Sequence, residues 1–119
     1  MRIVKKPWGY EEVWAIGQRY AGKILHINKG QRLSLQFHEK KEETIYVLDG
    51  SLLVIHGDSE ESLKETVLKP GESMHIYTGL IHRFCATEES EVRIVEVSTP
   101  ELDDVVRLSD DYNRKKIKK

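Results

Sequence analysis

The segment Arg32–His38 alternates polar and apolar side chains, and this alternation constrains the fold more than any other feature. Because successive side chains of a β-strand point to opposite faces, the segment is predicted to be a strand with one polar and one apolar face. The polar face is interpreted as part of a functional site. The polar side chains are Arg32, Ser34, Gln36 and His38, and the apolar ones are Leu33, Leu35 and Phe37.

Four side chains at ligand-like spacing predict a metal site. Gln36 and His38 lie on the polar face, Glu43 follows after a short turn, and His82 lies in a second glycine-punctuated segment, 71–82. One carboxylate, two imidazoles and an amide oxygen would hold a divalent first-row metal and leave positions open for a substrate. Without Gln36 the set becomes that of non-haem iron oxygenases, and this alternative stays open.

The remaining sequence predicts a single all-β domain over residues 1–119, because short strand-like runs alternate with turns and no long helical periodicity occurs. Antiparallel runs of this kind are typical of a jelly-roll barrel. From Glu101 onward the sequence is charged and aperiodic, which predicts a short helix or an arm that returns over the barrel. The predicted strands are Lys23–Asn28, Arg32–His38, Thr44–Leu48, Ser51–His56, Glu65–Leu68, Met74–Tyr77, Ile81–Ala86 and Val92–Val97.

Net charge and cysteine content limit which binding partners and which cellular compartment are expected. Nineteen basic side chains stand against twenty acidic ones, so we expect no general affinity for nucleic acid or for an anionic membrane. The basic tail 114–119 is interpreted as a solvated end. One cysteine, Cys85, cannot form an internal disulfide, and no long apolar run predicts a signal peptide or membrane span, so a cytoplasmic protein is expected.

Two motifs resemble the signature motifs of the cupins. The first covers residues 30–50, with Gln36 where many cupins have a histidine, and the second covers residues 71–82. The chain also resembles, nearly end to end, the cupin domain of type II mannose-6-phosphate isomerases. That domain often forms the C-terminal part of a fused GDP-mannose pyrophosphorylase, whose nucleotidyltransferase half has no counterpart in these 119 residues, so sugar-nucleotide synthesis is not implied. The segments that carry the narrower resemblance are Lys6–Gly9, Arg32–Gln36, His82–Arg83 and Val106–Arg114.

The resemblance implies a cupin jelly roll that binds a divalent metal through Gln36, His38, Glu43 and His82. The metal is expected to be zinc, with manganese, nickel or iron as alternatives. The implied reaction is aldose–ketose isomerisation of a sugar phosphate, in which a metal stabilises the enediolate as a Lewis acid. Thr44-Ile45 stands where the family usually has His-Trp, and Tyr77 replaces a proline. These departures favour the alternative of a non-catalytic or regulatory cupin that binds a sugar or sugar phosphate.

A phosphate substrate needs cationic and hydrogen-bonding side chains. Arg32 and Ser34 lie on the same predicted face as the ligands, and Arg107, within a family-like segment, is predicted to serve catalysis by holding the anionic end. No side chain is singled out as the proton carrier. Further candidates for substrate binding are Lys23, Arg83 and Arg114, and those that stay open as proton carriers are His26, Glu72, His75 and Tyr112.

The apolar face of the ligand-bearing strand also predicts an assembly. If the polar face lines the barrel, then Leu33, Leu35 and Phe37 point outward and need a cover. A second sheet, the region of Trp8 and Trp14, or another subunit could provide it. Cupins commonly pair through such sheets, so a homodimer is expected. Trp8 and Trp14 themselves are interpreted as core residues.

Overall fold

Two antiparallel sheets pack face to face around an apolar core. The computed structural model describes residues 2–112. Within this range the chain forms eleven strands and a short 3₁₀ turn, Glu60–Ser62, and contains no α-helix. The strands are β1 Arg2–Lys6, β2 Gly9–Ile16, β3 Ala21–Ile27, β4 Leu35–Phe37, β5 Glu43–Asp49, β6 Leu52–Gly57, β7 Lys64–Leu68, β8 Ser73–Ile76, β9 Ile81–Ala86, β10 Val92–Ser98 and β11 Val106–Ser109.

The strand order has the connectivity of a jelly roll. One sheet has the order β1-β2-β3-β10-β5-β8, and the other has the order β11-β4-β9-β6-β7. The chain crosses between the sheets after β3, β4, β5, β7, β8, β9 and β10, so the two inner faces enclose a common interior. The predicted all-β fold is therefore confirmed, whereas a single domain over 1–119 stays a prediction.

All eight predicted strands are present, Ile81–Ala86 with the predicted bounds and the others with shifted ends, but β1, β2 and β11 were not predicted. In β2 the inward position next to Val13 along the strand is occupied by Glu11, which is buried. A charged residue at an inward position breaks the apolar alternation by which a half-buried strand is recognised. Glu11 therefore explains why β2 was not predicted, and it also places a charged side chain inside the barrel.

The two tryptophans have different environments. Trp8 is buried in the core, as expected. The core prediction is wrong for Trp14, whose side chain is 48% exposed. Alternation along β2 turns Val13 inward and Trp14 outward, and the indole lies over Gly22, where an added Cβ would come within 2.6 Å of it. Gly22 thus leaves room for the ring on the outer face of the six-stranded sheet.

A one-residue register shift corrects the predicted strand Arg32–His38. Arg32 lies opposite Cys85 and Gln36 lies opposite His82, so a step of four residues in one segment matches a step of three in the other. An extra residue of this kind turns the following side chains to the other face. The prediction that all four polar side chains share one face is therefore wrong, because Arg32 and Gln36 face opposite sides.

The same shift alters the predicted apolar stripe. Leu33 belongs to the core, Leu35 is buried within the chain, and Phe37 is half-buried opposite Val106 of β11. The outward prediction is therefore wrong for Leu33, which turns into the core, whereas Leu35 and Phe37 flank the inward-facing Gln36 and lie on the other face of β4, where Leu35 is buried.

The C-terminal segment returns over the barrel as an arm. β11 pairs with β4 at the edge of the five-stranded sheet, and residues 101–112 contain no helix. Of the two predicted alternatives, the arm is therefore correct for these residues. Arg114 and the basic tail lie outside the described residues.

Candidate metal centre

Three side chains that could ligate a metal meet inside the barrel, and they are called the ligating residues below. His38 follows β4, Glu43 begins β5, and His82 lies in β9, and all three are buried. Their potential ligand atoms lie within 4.8 Å of one another. Glu43 Oε2 is 3.5 Å from His38 Nε2 and 3.9 Å from His82 Nε2. The three residues that the sequence spacing indicated as ligands are thus brought together.

Backbone carbonyls orient both imidazoles. His38 Nδ1 donates to the Asp104 carbonyl oxygen at 2.5 Å, and His82 Nδ1 donates to the Leu80 carbonyl oxygen at 2.9 Å. A ring nitrogen that faces a carbonyl must carry the hydrogen, so each ring in its neutral form has its lone pair on Nε2, the atom that faces Glu43. Fixing the tautomer through the other ring nitrogen is characteristic of metal-binding histidines.

The electrostatics favour the protonation states that metal binding needs. Burial alone would raise the pKa of Glu43, but the Lys41 ammonium, 3.9 Å away, together with His38 and His82, outweighs it and holds that pKa well below the usual range. Burial lowers the pKa of His82 to about 4. An ionised carboxylate and a neutral imidazole are the metal-binding forms of these groups. The donor set therefore fits a divalent first-row metal.

Gln36 reaches the same region but is a weaker candidate. It lies opposite His82 in the β4–β9 pair and lines a cavity of about 90 Å³ next to the three ligating residues, the central cavity. Its amide oxygen as a fourth ligand stays a prediction. The other polar side chains that line this cavity include Lys6, Glu11, Lys23, Lys41, Glu96 and Arg107.

Two buried ion pairs stand beside the ligating residues. Lys23 Nζ lies 3.2 Å from Glu11 Oε1, and Lys41 Nζ lies 3.1 Å from Glu96 Oε2. Burial, together with the charge of Glu43, raises the pKa of Glu96 to about 7. Sequence reasoning named only Lys23 among these four. The missed signal is a charged residue at an inward position of a strand that is otherwise apolar inside, as with Glu96 after Ile94 in β10.

Asp104, which the sequence did not indicate, holds the loop between β4 and β5. Its carboxylate accepts the backbone N–H groups of Glu39, Lys40 and Lys41, at 3.2, 2.6 and 2.8 Å. Its carbonyl oxygen accepts the hydrogen bond from His38 described above. One residue of the C-terminal arm therefore fixes both a ligating ring and the loop that leads to Glu43.

The predicted substrate-binding residues separate into two groups. Lys23 and Arg107 line the central cavity. Arg32 instead forms a two-bond contact with Asp111 on the surface, and Arg83 donates to the carbonyl oxygens of Leu33 and Ser109. Ser34 is buried away from the cavity lining. The role of each residue in binding stays a prediction, and Arg114 lies beyond the part of the chain that the structure describes.

The family model described as "Mannose-6-phosphate isomerase C-terminal" matches residues 1–110. The chain belongs to this family. It is 32% identical over 116 residues to the xanthan biosynthesis protein XanB of Xanthomonas campestris pv. campestris (strain B100). It is 33% identical over 117 residues to the mannose-1-phosphate guanylyltransferase of Escherichia coli (strain K12). Both matches cover 95% of this chain but only 24% and 23% of the relatives, so the chain spans about a quarter of their length.

Solved structures confirm the cupin fold. The capsular polysaccharide assembling protein CapF from Staphylococcus aureus matches with a TM-score of 0.79 at 14% identity, over 91% of this chain and 34% of that one. The oxalate decarboxylase of Lactobacillus farciminis matches with a TM-score of 0.77 at 18% identity, over 90% of this chain and 33% of that one. At such identities the likeness shows the fold alone. Among residues 2–112, no helix is long and apolar enough to cross a membrane.

Proposed function

We propose that this cupin interconverts a phosphorylated aldose and its ketose with the help of a divalent metal. The observation that carries the proposal is the juxtaposition of a two-histidine, one-carboxylate cluster with a cavity that Lys23 and Arg107 also line. Membership in the mannose-6-phosphate isomerase family and the likeness to sugar-phosphate-handling relatives support the substrate class.

His38, Glu43 and His82, with Gln36 as a fourth donor, would hold the metal, and zinc is the metal that we propose. Bound there, a metal supplies Lewis-acid stabilisation to the charge that develops on the two oxygens of an enediolate. Lys23 and Arg107 bind the anionic end of the substrate and orient the sugar toward the ligating residues. The buried lining excludes bulk water, which strengthens each of these electrostatic contacts.

The deciding experiment offers mannose 6-phosphate, glucose 6-phosphate and fructose 6-phosphate to the metal-loaded protein. Formation of the paired sugar phosphate, with entry of solvent deuterium at the carbon next to the carbonyl, is expected. Arg107→Ala should raise KM for the sugar phosphate, while Arg32→Ala, whose arginine contacts Asp111 outside the cavity, should leave KM unchanged. Absence of both interconversion and deuterium entry would refute the isomerase proposal.

A non-catalytic sugar-phosphate-binding cupin is the second candidate, motivated by Thr44-Ile45 in place of the family's His-Trp. The structure weakens this argument, because Ile45 lies in the apolar core and Thr44 is on the opposite face of β5 from Glu43. Neither position lines the central cavity. Thermal protection by a sugar phosphate without any deuterium entry would favour this candidate.

We propose a homodimer as the assembly and the cytoplasm as its setting. The supporting surface is the outer face of the six-stranded sheet, where Trp14, Tyr46 and Val97 are 48%, 45% and 47% exposed. Contiguous exposed apolar side chains are typical of an interface between subunits. Sedimentation should show a dimer that Tyr46→Asp dissociates, and a monomer at micromolar concentration would rule this assembly out.

A further inference from the structure

The proposed isomerisation requires a group that moves a proton between two neighbouring carbons. Such a group must line the central cavity, must not be occupied as a metal ligand, and must have a basic atom open to the substrate. Glu43 fails the second condition. The candidates that the sequence left open fail the first condition, because they do not line the central cavity: His26, Glu72, His75 and Tyr112.

Glu96 meets all three conditions. It lies on the inner face of β10, is 4% exposed, and lines the central cavity with the ligating residues. Its Oε2 atom is buried and faces the Lys41 ammonium at 3.1 Å, in a contact whose angles are not those of a hydrogen bond. A buried carboxylate oxygen without such a bond is costly, and in a cavity it is available to a ligand.

Lys41 holds this carboxylate in place without saturating it. The ammonium lies 3.1 Å from Glu96 Oε2 and 3.9 Å from Glu43 Oε1, so one buried cation connects the candidate proton carrier with the ligating cluster. Glu11, the buried carboxylate of the lining that remains besides Glu43, pairs with Lys23 at 3.2 Å and lies on β2, which two strands separate from β5. Glu96, on the strand next to the one that begins with Glu43, therefore combines proximity to the ligating cluster with a buried oxygen that pairs with Lys41 and still has a lone pair to offer.

We propose that Glu96 is the proton-transferring residue of this site, a role that rests on the proposed isomerase function. In the first step, the C–H bond next to the substrate carbonyl breaks and a Glu96 oxygen takes the proton. The electron pair of that bond forms the carbon–carbon double bond of the enediolate, and the carbonyl electrons move onto their oxygen.

In the second step, Glu96 returns the proton to the former carbonyl carbon, which forms a new C–H bond. The hydroxyl proton of the first carbon passes to the other substrate oxygen, and the first carbon becomes the carbonyl. Glu96 is thereby regenerated as a carboxylate. No oxidant or reductant enters, because the reaction only moves two hydrogens within the substrate.

The test compares Glu96→Gln with Glu12→Gln in metal-loaded protein supplied with mannose 6-phosphate in deuterated water. Glu96→Gln removes the basic oxygen and preserves the shape, and it should slow both interconversion and deuterium entry by at least about 100-fold. Metal content and thermal protection by fructose 6-phosphate should stay at the wild-type level. Glu12, on the outer face of β2 beside His26, is the matched control and should leave all four readouts unchanged.

Glu96→Asp keeps the carboxylate but withdraws it by one methylene, so an intermediate rate is expected, and it serves as the deciding variant if Glu96→Gln does not fold. Deuterium entry within about tenfold of wild type in Glu96→Gln, or an undiminished rate in Glu96→Asp, would overturn the role of Glu96 and leave the isomerase proposal standing. If wild-type protein binds the sugar phosphate but never takes up deuterium, the isomerase proposal fails and the role of Glu96 fails with it.

Discussion

The two ends of the barrel interior are built on the same strands from opposite kinds of side chain. On β3, β5 and β10 the inward positions run from Lys23, Glu43 and Glu96 at one end to Ile27, Val47 and Val92 at the other. Strand pairing places charged residues opposite charged ones and apolar residues opposite apolar ones, since Glu96 lies opposite Lys23 and Val92 lies opposite Ile27. We call these the charged end and the apolar end.

The two ends of the barrel interior differ in what they contribute to the free energy of folding. Removing ionised groups from water costs several kcal/mol for each ion, and their mutual attraction returns that cost only with good geometry. Each fully buried aliphatic side chain of the apolar end contributes about 1.5–3 kcal/mol. The apolar end therefore stabilises the fold, and the charged end uses part of that stability to keep reactive groups out of water.

The largest effect should come from removing a ligand at the charged end. His82→Ala takes away one of three buried donors, so metal content measured after purification without chelator should fall from near one ion per chain toward zero. His56→Ala is the matched control, because His56 contacts Thr66 and is not part of the cluster. Equal metal content in the two variants would contradict the ligand assignment.

The next effect tests the apolar end. Ile94 is fully buried, so Ile94→Ala should lower the free energy of unfolding by about 2–5 kcal/mol, through lost transfer energy and a residual cavity. Urea unfolding measures the change. Metal content of the folded variant should stay at the wild-type level, and loss of metal without loss of stability would show that the two ends are not separable in this way.

A smaller effect concerns the residue that connects the arm with the charged end. Burial would raise the pKa of Asp104, but the N–H groups of Lys41, Lys40 and Glu39 outweigh it and lower that pKa. The carboxylate thus contributes stability that is fully present above its usual pKa of 3.8 and is lost as the pH falls through the lower native value.

Asp104→Asn should therefore destabilise the metal-free protein more at neutral pH than in acid, and weaken metal binding by about 10–100-fold through a less ordered His38. Urea unfolding at both pH values and metal titration measure the two effects. Equal destabilisation at both pH values would show that the negative charge of Asp104 contributes nothing.

The smallest effect is expected outside the barrel. Arg32 and Asp111 form a surface ion pair with side chains 42% and 39% exposed. Arg32→Gln should change the free energy of unfolding by no more than about 1 kcal/mol, because solvent screens such a pair. Thermal denaturation measures it, and a loss as large as that from Ile94→Ala would mean that the pair is part of the folding core.

The sequence predicted the ligating cluster because its members sit at motif positions, and it predicted most strands because alternation is a local property. It did not predict the faces of Arg32 and Leu33, since one extra residue between the Arg32 and Gln36 pairings reverses the alternation and is visible only when the partner strand is known. Asp104 was missed for a related reason. Its partners lie more than sixty positions earlier in the chain, and no local pattern marks them.

The hydrogen bond between His38 and Asp104 joins residues 66 positions apart, and this separation has a consequence for how the site comes into being. During synthesis, all three ligating side chains leave the ribosome before the segment that orients one of them. Contacts between such distant residues form late, because a long loop must first be closed. Metal binding at this site would therefore depend on docking of the arm, because a nascent chain that stops short of Asp104 has His38, Glu43 and His82 but lacks the carbonyl that orients His38.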